Sequence, residues 1–192
     1  MHKKIYTETK RLVLRQVETE DVEAFHRYRS NPNIAKFQSW ENYQYEQAAK
    51  FIEEQASNTP NVPGAWFQYA VALKEGQLLI GDCAVHTLQL DPRVVEIGFT
   101  LAPEYQGRGL ATEAVIGLLD YLFEKLQKHK VIAHVNVANT SSIRLLERIG
   151  MRREAHFLEN YFIKGQWVDE YLYAILEREW LSHGQSITGE HK

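Results

Sequence analysis

The chain predicts a mixed α/β fold: one central, largely antiparallel sheet of about seven strands, a single parallel pair within it, and helices on both faces. Two observations carry most of that prediction. In residues 94–101, Val95, Ile97, Phe99 and Leu101 alternate with Val94, Glu96, Gly98 and Thr100, the period of a half-buried strand. From Ala111 the apolar residues then recur as Ala111, Ala114, Val115, Leu118, Leu119 and Leu122, one face of a helix. A further strand at 131–137 completes a strand–helix–strand unit, which needs a right-handed crossover and parallel strands. The other neighbouring strands can pair antiparallel, giving a mixed sheet.

Each element has a local reason. Residues 11–15 (Arg-Leu-Val-Leu-Arg) alternate as a first strand. Thr19 suits a helix N-cap, with Glu20 and Asp21 at the positive end of a helix running toward Arg29. Asn31-Pro32-Asn33 stops that helix. Tyr45, Ala48, Ala49, Ile52 and Ala56 make the apolar stripe of a second helix, followed by a loop at 58–64 that holds Pro60 and Pro63. Strands at 66–73 and 78–87 precede the one at 94–101, joined by Lys74-Glu75-Gly76-Gln77 and by Asp91-Pro92. A third helix spans 111–125, and a short fourth one spans 142–149, with Gly150 in its C-terminal position. A last hairpin runs over 152–177 and turns at Lys164-Gly165-Gln166. Residues 8–180 are expected to form one domain, and 181–192, polar and glycine-containing, a flexible tail.

Composition narrows the function classes. The 192 residues are 44% hydrophobic and 24% charged, which indicates neither disorder nor a fibrous repeat. A net charge of −3 gives no electrostatic reason to wrap nucleic acid, and a mildly acidic surface does not oppose an amine. No run approaches the roughly 18 apolar residues of a membrane span, and no signal peptide opens the chain. A single cysteine, Cys83, forms no internal disulfide and fits a reducing cytoplasm. Cys83 has no histidine or cation beside it in sequence and reads as small apolar filler rather than a nucleophile. The eight histidines form no metal-ligand pattern, so no metal is expected.

The chemistry concentrates after the third predicted strand of the run. Gly107 and Gly109 permit positive φ and leave no Cβ in the way of a bound group. A loop that turns backbone N–H groups outward ahead of a helix N-terminus is an anion site, because those donors lack intrahelical partners and the dipole favours negative charge. A phosphate or pyrophosphate is the expected guest. Gln106, Gly109 and Ala111 match the acyl-coenzyme A signature Q/R-x-x-G-x-G/A. The segments Glu96-Ile97-Gly98-Phe99 and Ala111-Thr112-Glu113-Ala114 flank it. On these residues the chain resembles the GNAT N-acetyltransferase superfamily, and within it the branch that acetylates ribosomal-protein N-termini, over nearly its whole length.

That resemblance implies a splayed parallel pair and acetyl-CoA as co-substrate. It implies that Gln106, Gly107, Arg108, Gly109, Leu110, Ala111 and Thr112 hold the pyrophosphate. The strand at Phe99, Thr100 and Leu101 offers main-chain bonds to the pantetheine arm and a backbone N–H to the thioester carbonyl. A second match, Asn139-Thr140-Ser141-Ser142, opens the short helix. There Asn139 is expected on the pantetheine, Ser142 near the sulfur as the donor that protonates the departing thiolate, and Arg144 near the phosphates. N-capping alone also accounts for Asn139 and Ser142.

The amine must lose a proton. An α-amine with a pKa near 8 is partly neutral at pH 7, whereas a lysine near 10.4 is almost wholly charged, and a positioned base contributes ~10²–10⁴ in rate. Glu96 is the leading candidate for that base, with strand pairing to an arginine as its bland alternative; His134, on the face of Ile132 and Asn136, is the second. Tyr161, not a carboxylate, stands where some relatives carry a glutamate. Phe37, Trp40 and Tyr43 lie in a loop expected at the acceptor entrance. Trp167, Asp169, Tyr171, Tyr173 and Trp180 read equally as core, acceptor-pocket wall or the face of a homodimer. The expected reaction is direct attack by an amine in a ternary complex, with a protein N-terminus as acceptor. A small amine, such as a polyamine, amino acid or aminoglycoside-like compound, is the rival, and a non-catalytic acyl-CoA-binding module the third reading.

Overall fold

A computed structural model describes residues 4–188, with side chains described from 4 to 182. Eight strands form one sheet in the order β1-β2-β3-β4-β5-β6-β8-β7. Their spans are β1 Ile5–Glu8, β2 Leu12–Gln16, β3 Trp66–Leu73, β4 Leu79–Thr87, β5 Val94–Leu101, β6 Lys130–Asn136, β7 Arg152–Ile163 and β8 Gln166–Leu176. Every neighbouring pair is antiparallel except β5 with β6. The helices are α1 Val22–Arg29, α2 Pro32–Ala35, α3 Tyr45–Ser57, α4 Leu110–Asp120, α5 Thr140–Arg148 and α6 Glu177–Thr188.

The two sheet faces carry separate cores. One face packs Leu12, Leu14, Val95, Ile97 and Val131 against Val115, Leu118 and Leu119 of α4 and Leu145 and Leu146 of α5. The other covers Ala70 and Leu79 with Phe25 and Tyr28 of α1 and Ala48 and Ile52 of α3. Alternation along β5 and β6 therefore aims Val95, Ile97, Val131 and Ala133 at the α4 side, and Glu96, Gly98, Thr100, Ile132 and His134 at the α1 side.

Several details depart from the sequence reading. An eighth strand, β1, pairs with β2, and only four residues long it carries too little pattern to be read alone. Thr19 does not cap α1: a 3-10 turn over Thr19–Asp21 precedes it, closed by a capping box between Glu18 and Asp21. Asn31-Pro32-Asn33 stops α1 but at once opens α2, with Asn31 Oδ1 accepting the Asn33 N–H at 2.9 Å and Pro32 in the first turn. The helix after the glycine loop ends as α-helix at Asp120 and continues as a π turn over Tyr121–Lys125. Finally, α6 extends to Thr188, so the first part of the expected tail is helical; Trp180 anchors its start by donating to Asp120 Oδ1 at 2.9 Å. Residues 189–192 lie outside the described residues. Among the described residues no helix is long and apolar enough to cross a membrane.

Candidate active site

β5 and β6 stay paired over only three positions, Val94↔Lys130, Val95↔Val131 and Glu96↔Ile132. Beyond Glu96 each strand keeps its other neighbour, β4 as far as Leu101 and β8 as far as Asn136, while the two part from each other. The opening exposes one edge of β5 from Ile97 onward. Two adjoining pockets meet there, of about 640 Å³ and about 480 Å³. Phe37, Gln38, Phe99, Asn139 and Ser142 line both.

The smaller pocket ends on the glycine loop. Tyr105 N–H bonds Ala102 O, Gln106 N–H bonds Pro103 O, and Glu113 N–H bonds Gly109 O. Between them, the N–H groups of Gly107 to Thr112 have no protein acceptor among the described residues. Gly107 and Gly109 both sit at φ +74°, the left-handed region, and Gly109 is the N-cap of α4. The Gln106 side chain donates to Leu101 O at 2.8 Å, tying the loop back to the end of β5. Glu113 anchors the helix start from behind, accepting from Thr9 Oγ1 (2.6 Å), Arg11 N–H (2.7 Å) and Arg11 Nε (2.6 Å). Burial alone would raise the Glu113 carboxyl, but these donors bring it below its ordinary value. Arg11 also donates to Arg108 O at 3.0 Å, so the loop is braced while its amides stay open. Arg108 itself leans over the Tyr105 ring, 5.9 Å from its centroid, and is not part of the pocket wall.

At the start of α5, Asn139 is the N-cap, its Oδ1 accepting the Ser142 N–H at 3.2 Å. The capping reading thus holds for Asn139. Ser142 takes part through its backbone, and its hydroxyl has no partner among the described residues. Arg144 is outside both pockets; Arg148, one turn on, lines the smaller and reaches Thr112 Oγ1 at 3.4 Å. Arg148 escaped the sequence reading because the match ended at Ser142, although i+4 spacing from Arg144 puts both on one helix face.

On the α1 side of the opening, His134 Nδ1 lies 3.0 Å from Glu96 Oε1. His134 is part of the larger pocket's wall; Glu96 stands behind it. The hydrogen bond to Glu96 raises the imidazole pKa, burial opposes this, and the charges of Glu96 and Glu170 add to the rise. Asp169 and Glu170 of β8 bring two carboxylates to this pocket; Asp169 falls on the pocket-wall reading offered for the last hairpin, and Glu170 is not singled out by the sequence. Glu170 is set opposite Asn136 of β6, and on its other side β7 bulges between Phe157 and Tyr161, where Asp169 Oδ1 accepts the Glu159 N–H at 2.9 Å. Tyr161 and Trp167 line the pocket, whereas Tyr173 is buried and bonded to Glu147. Of the loop aromatics only Phe37 reaches the pockets; Trp40 and Tyr43 pack inward. Cys83 is wholly buried, its thiol pushed far up by burial, as befits filler. Among the described residues no group of three His, Cys, Asp or Glu side chains is placed to hold a metal.

Comparison with known proteins agrees with this geometry. The acetyltransferase (GNAT) domain family matches residues 11–152. The chain belongs to that family. It is 33% identical to an uncharacterized N-acetyltransferase of Bacillus subtilis over 90% of this chain and 97% of that one. It is 30% identical to the spermidine N(1)-acetyltransferase of Vibrio cholerae over 91% of this chain and 98% of that one. Among solved structures, a GNAT-family acetyltransferase of Bacillus anthracis superposes with a TM-score of 0.82 at 32% identity, covering 90% of this chain and 99% of that one.

As a GNAT domain the protein is an acetyl-CoA-dependent N-acetyltransferase. The open amides of Gly107 to Thr112 could hold the diphosphate, which supplies what the dipole and the orphan donors lack. The free edge of β5 at Phe99 to Leu101 could pair with an extended pantetheine arm as another strand would. Both features face the smaller pocket.

Proposed function

We propose that this GNAT enzyme acetylates the α-amine of a protein N-terminus by direct attack within a ternary complex. The acceptor occupies the pocket of about 640 Å³, and the donor occupies the pocket of about 480 Å³. The observation that supports this acceptor over a polyamine is the charge at the pocket's edge. Lys36 and Lys164 both line the pocket; Lys164 donates to Ala35 O at 2.6 Å and lies 3.7 Å from Glu41 Oε1. With Asp169 and Glu170 in the same wall, these ammonium groups give the pocket mixed charge, which suits a peptide of mixed charge better than a substrate that carries several ammonium groups.

In this reading His134 receives the amine's proton. A neutral His134 keeps Nδ1–H on Glu96 and presents Nε2 as the acceptor, so Glu96 fixes the tautomer and stabilises the imidazolium that forms. A backbone N–H on the free edge of β5 bonds the thioester oxygen as it gains charge. The Ser142 hydroxyl relays a proton to the departing thiolate, taking one from solvent as it gives its own, and Asn139 and Arg148 bind the donor.

A small polyamine is the second reading, because Asp169 and Glu170 supply carboxylates within the pocket and the Vibrio cholerae relative is named for spermidine. Thiol release from acetyl-CoA against peptides, amino acids and polyamines separates the two. A peptide with a free α-amine is expected to have the highest kcat/KM. A polyamine as the best acceptor would reverse the order.

A further inference from the structure

Between α2 and α3, residues 36–44 supply Phe37 and Gln38, the wall shared by the two pockets. Nothing regular holds this segment, yet its placement decides where an amine can sit. Besides Lys164 near Glu41 (3.7 Å) and His26 Nε2 at the Tyr43 carbonyl (3.0 Å), the hold comes from a residue outside both pockets. Arg29, the last residue of α1, is only 7% exposed. Its guanidinium carbon lies 4.2 Å from the Phe25 ring centroid and 4.3 Å from that of Trp40, with Phe51 at 5.1 Å and Tyr43 at 5.9 Å. Trp40 Nε1–H in turn donates to the Arg29 carbonyl at 3.1 Å.

A carboxylate fixes Arg29 from the sheet side. Asp82, 2% exposed, lies 3.5 Å from Arg29 Nη2 and also accepts from the Tyr28 hydroxyl and the Gln68 amide. Asp82 stands opposite Thr100 in the β4–β5 register, directly beside the strand edge that lines the smaller pocket. Arg29 Nε is buried without a hydrogen-bond partner among the described residues. Ring faces therefore do much of the holding, and a planar guanidinium stacks on several of them where a compact ammonium lacks that flat surface.

We infer that Arg29 is a positioning residue for acceptor binding: gripped by Asp82, it carries Trp40 and so sets where Phe37 and Gln38 stand beside the amine. The inference rests on the larger pocket being the acceptor's. The donor is far less dependent on this arrangement, because the open amides of Gly107 to Thr112 and the β5 edge belong to other elements.

Arg29→Lys keeps the charge for Asp82 and removes the flat face. It is expected to raise the amine KM about 5- to 10-fold while kcat at saturating amine and the Kd of coenzyme A change by less than about twofold. Trp40→Phe keeps a ring and deletes only the Nε1–H bond, and should show the same split on a smaller scale, with thermal melting confirming that each variant is folded. An unchanged amine KM in a folded variant, or a coenzyme Kd that rises in parallel, overturns the inference. If Arg29→Lys does not fold, Trp40→Phe alone decides. Trp167→Ala tests the pocket assignment separately. An unchanged amine KM there overturns the assignment, whereas an effect there with none from Arg29→Lys or Trp40→Phe overturns only the positioning role.

Discussion

Replacing Glu96 with Gln removes a charge and keeps the side chain's shape, so it isolates the carboxylate's hold on His134. The two side chains lie 3.0 Å apart and are 24% and 30% exposed, so solvent screens the pair, and it contributes about 0.5–1 kcal/mol to stability. The sign follows from the imidazole. Glu96 raises the folded His134 pKa above its unfolded value, near 6.5, so the stabilisation is complete below that value while the carboxylate stays ionised. It is lost as pH rises through the folded value. Thermal melting of the two proteins should therefore differ most at about pH 5.5–6 and converge by about pH 8. The kinetic effect is larger: without its orienting carboxylate the base should turn over about 10- to 100-fold more slowly at neutral pH. With the raising charge gone, the acid limb of kcat, measured by thiol release with both substrates saturating, should move to lower pH, and the NMR titration of His134 should move with it. An acid limb that stays in place, or moves upward, refutes the pair and returns the proton to Glu96 alone or to water.

Ser142→Ala should slow the chemical step about 10²-fold and leave the coenzyme Kd nearly unchanged, because the cap uses the backbone N–H of residue 142 and survives the change. Equal losses in both would mark a structural role. Gly109→Ala places a Cβ at φ +74°, with only Arg11 Nη2 near it at 3.6 Å, so the cost is backbone strain of about 1–2 kcal/mol. Calorimetry should then show weaker coenzyme binding together with a lower melting temperature. Arg148→Ala should weaken coenzyme A about 10-fold or more, the worth of a charge-assisted hydrogen bond, in a salt-dependent way. Arg144→Ala should not, and the reverse order would restore the sequence-based choice.

The fold was legible where periodicity is long and local chemistry agrees with it. β3, β5 and the β7–β8 turn fall where the residues predict, and both turn positions, Lys164 and Gly165, have positive φ. The glycine loop was legible for the same reason: Gly107 and Gly109 stand where only a left-handed backbone leaves the amides open. What escaped depends on pairing across the chain. β1 is identified by its partner rather than its pattern. Glu170 reaches the pocket because β8 pairs with β6, setting Glu170 opposite Asn136, a long-range pairing that the local pattern does not reveal. The aromatic loop misled because an exposed-looking run, Phe37, Trp40 and Tyr43, divides its duties. One ring faces the pockets, and two serve the buried guanidinium of Arg29, eleven and fourteen residues earlier in sequence.

The opened sheet explains why donor and acceptor chemistry fall on this one place. Three parallel pairs hold β5 to β6, and α4 and the strands on either side keep both in place once they part. A strand edge in the middle of a sheet would ordinarily be covered by its neighbour; here it stays available to a ligand without exposing the sheet's outer edge to other chains. The same alternation that sends Val95 and Ile97 into one core turns Glu96 toward the other face, against His134. In the proposed mechanism, a base on the opposite face from the Ser142 helix leaves the proton from the amine and the proton to the sulfur on separate groups. A single residue serving both would have to be basic and acidic within the same step, and the register of β5 removes that demand.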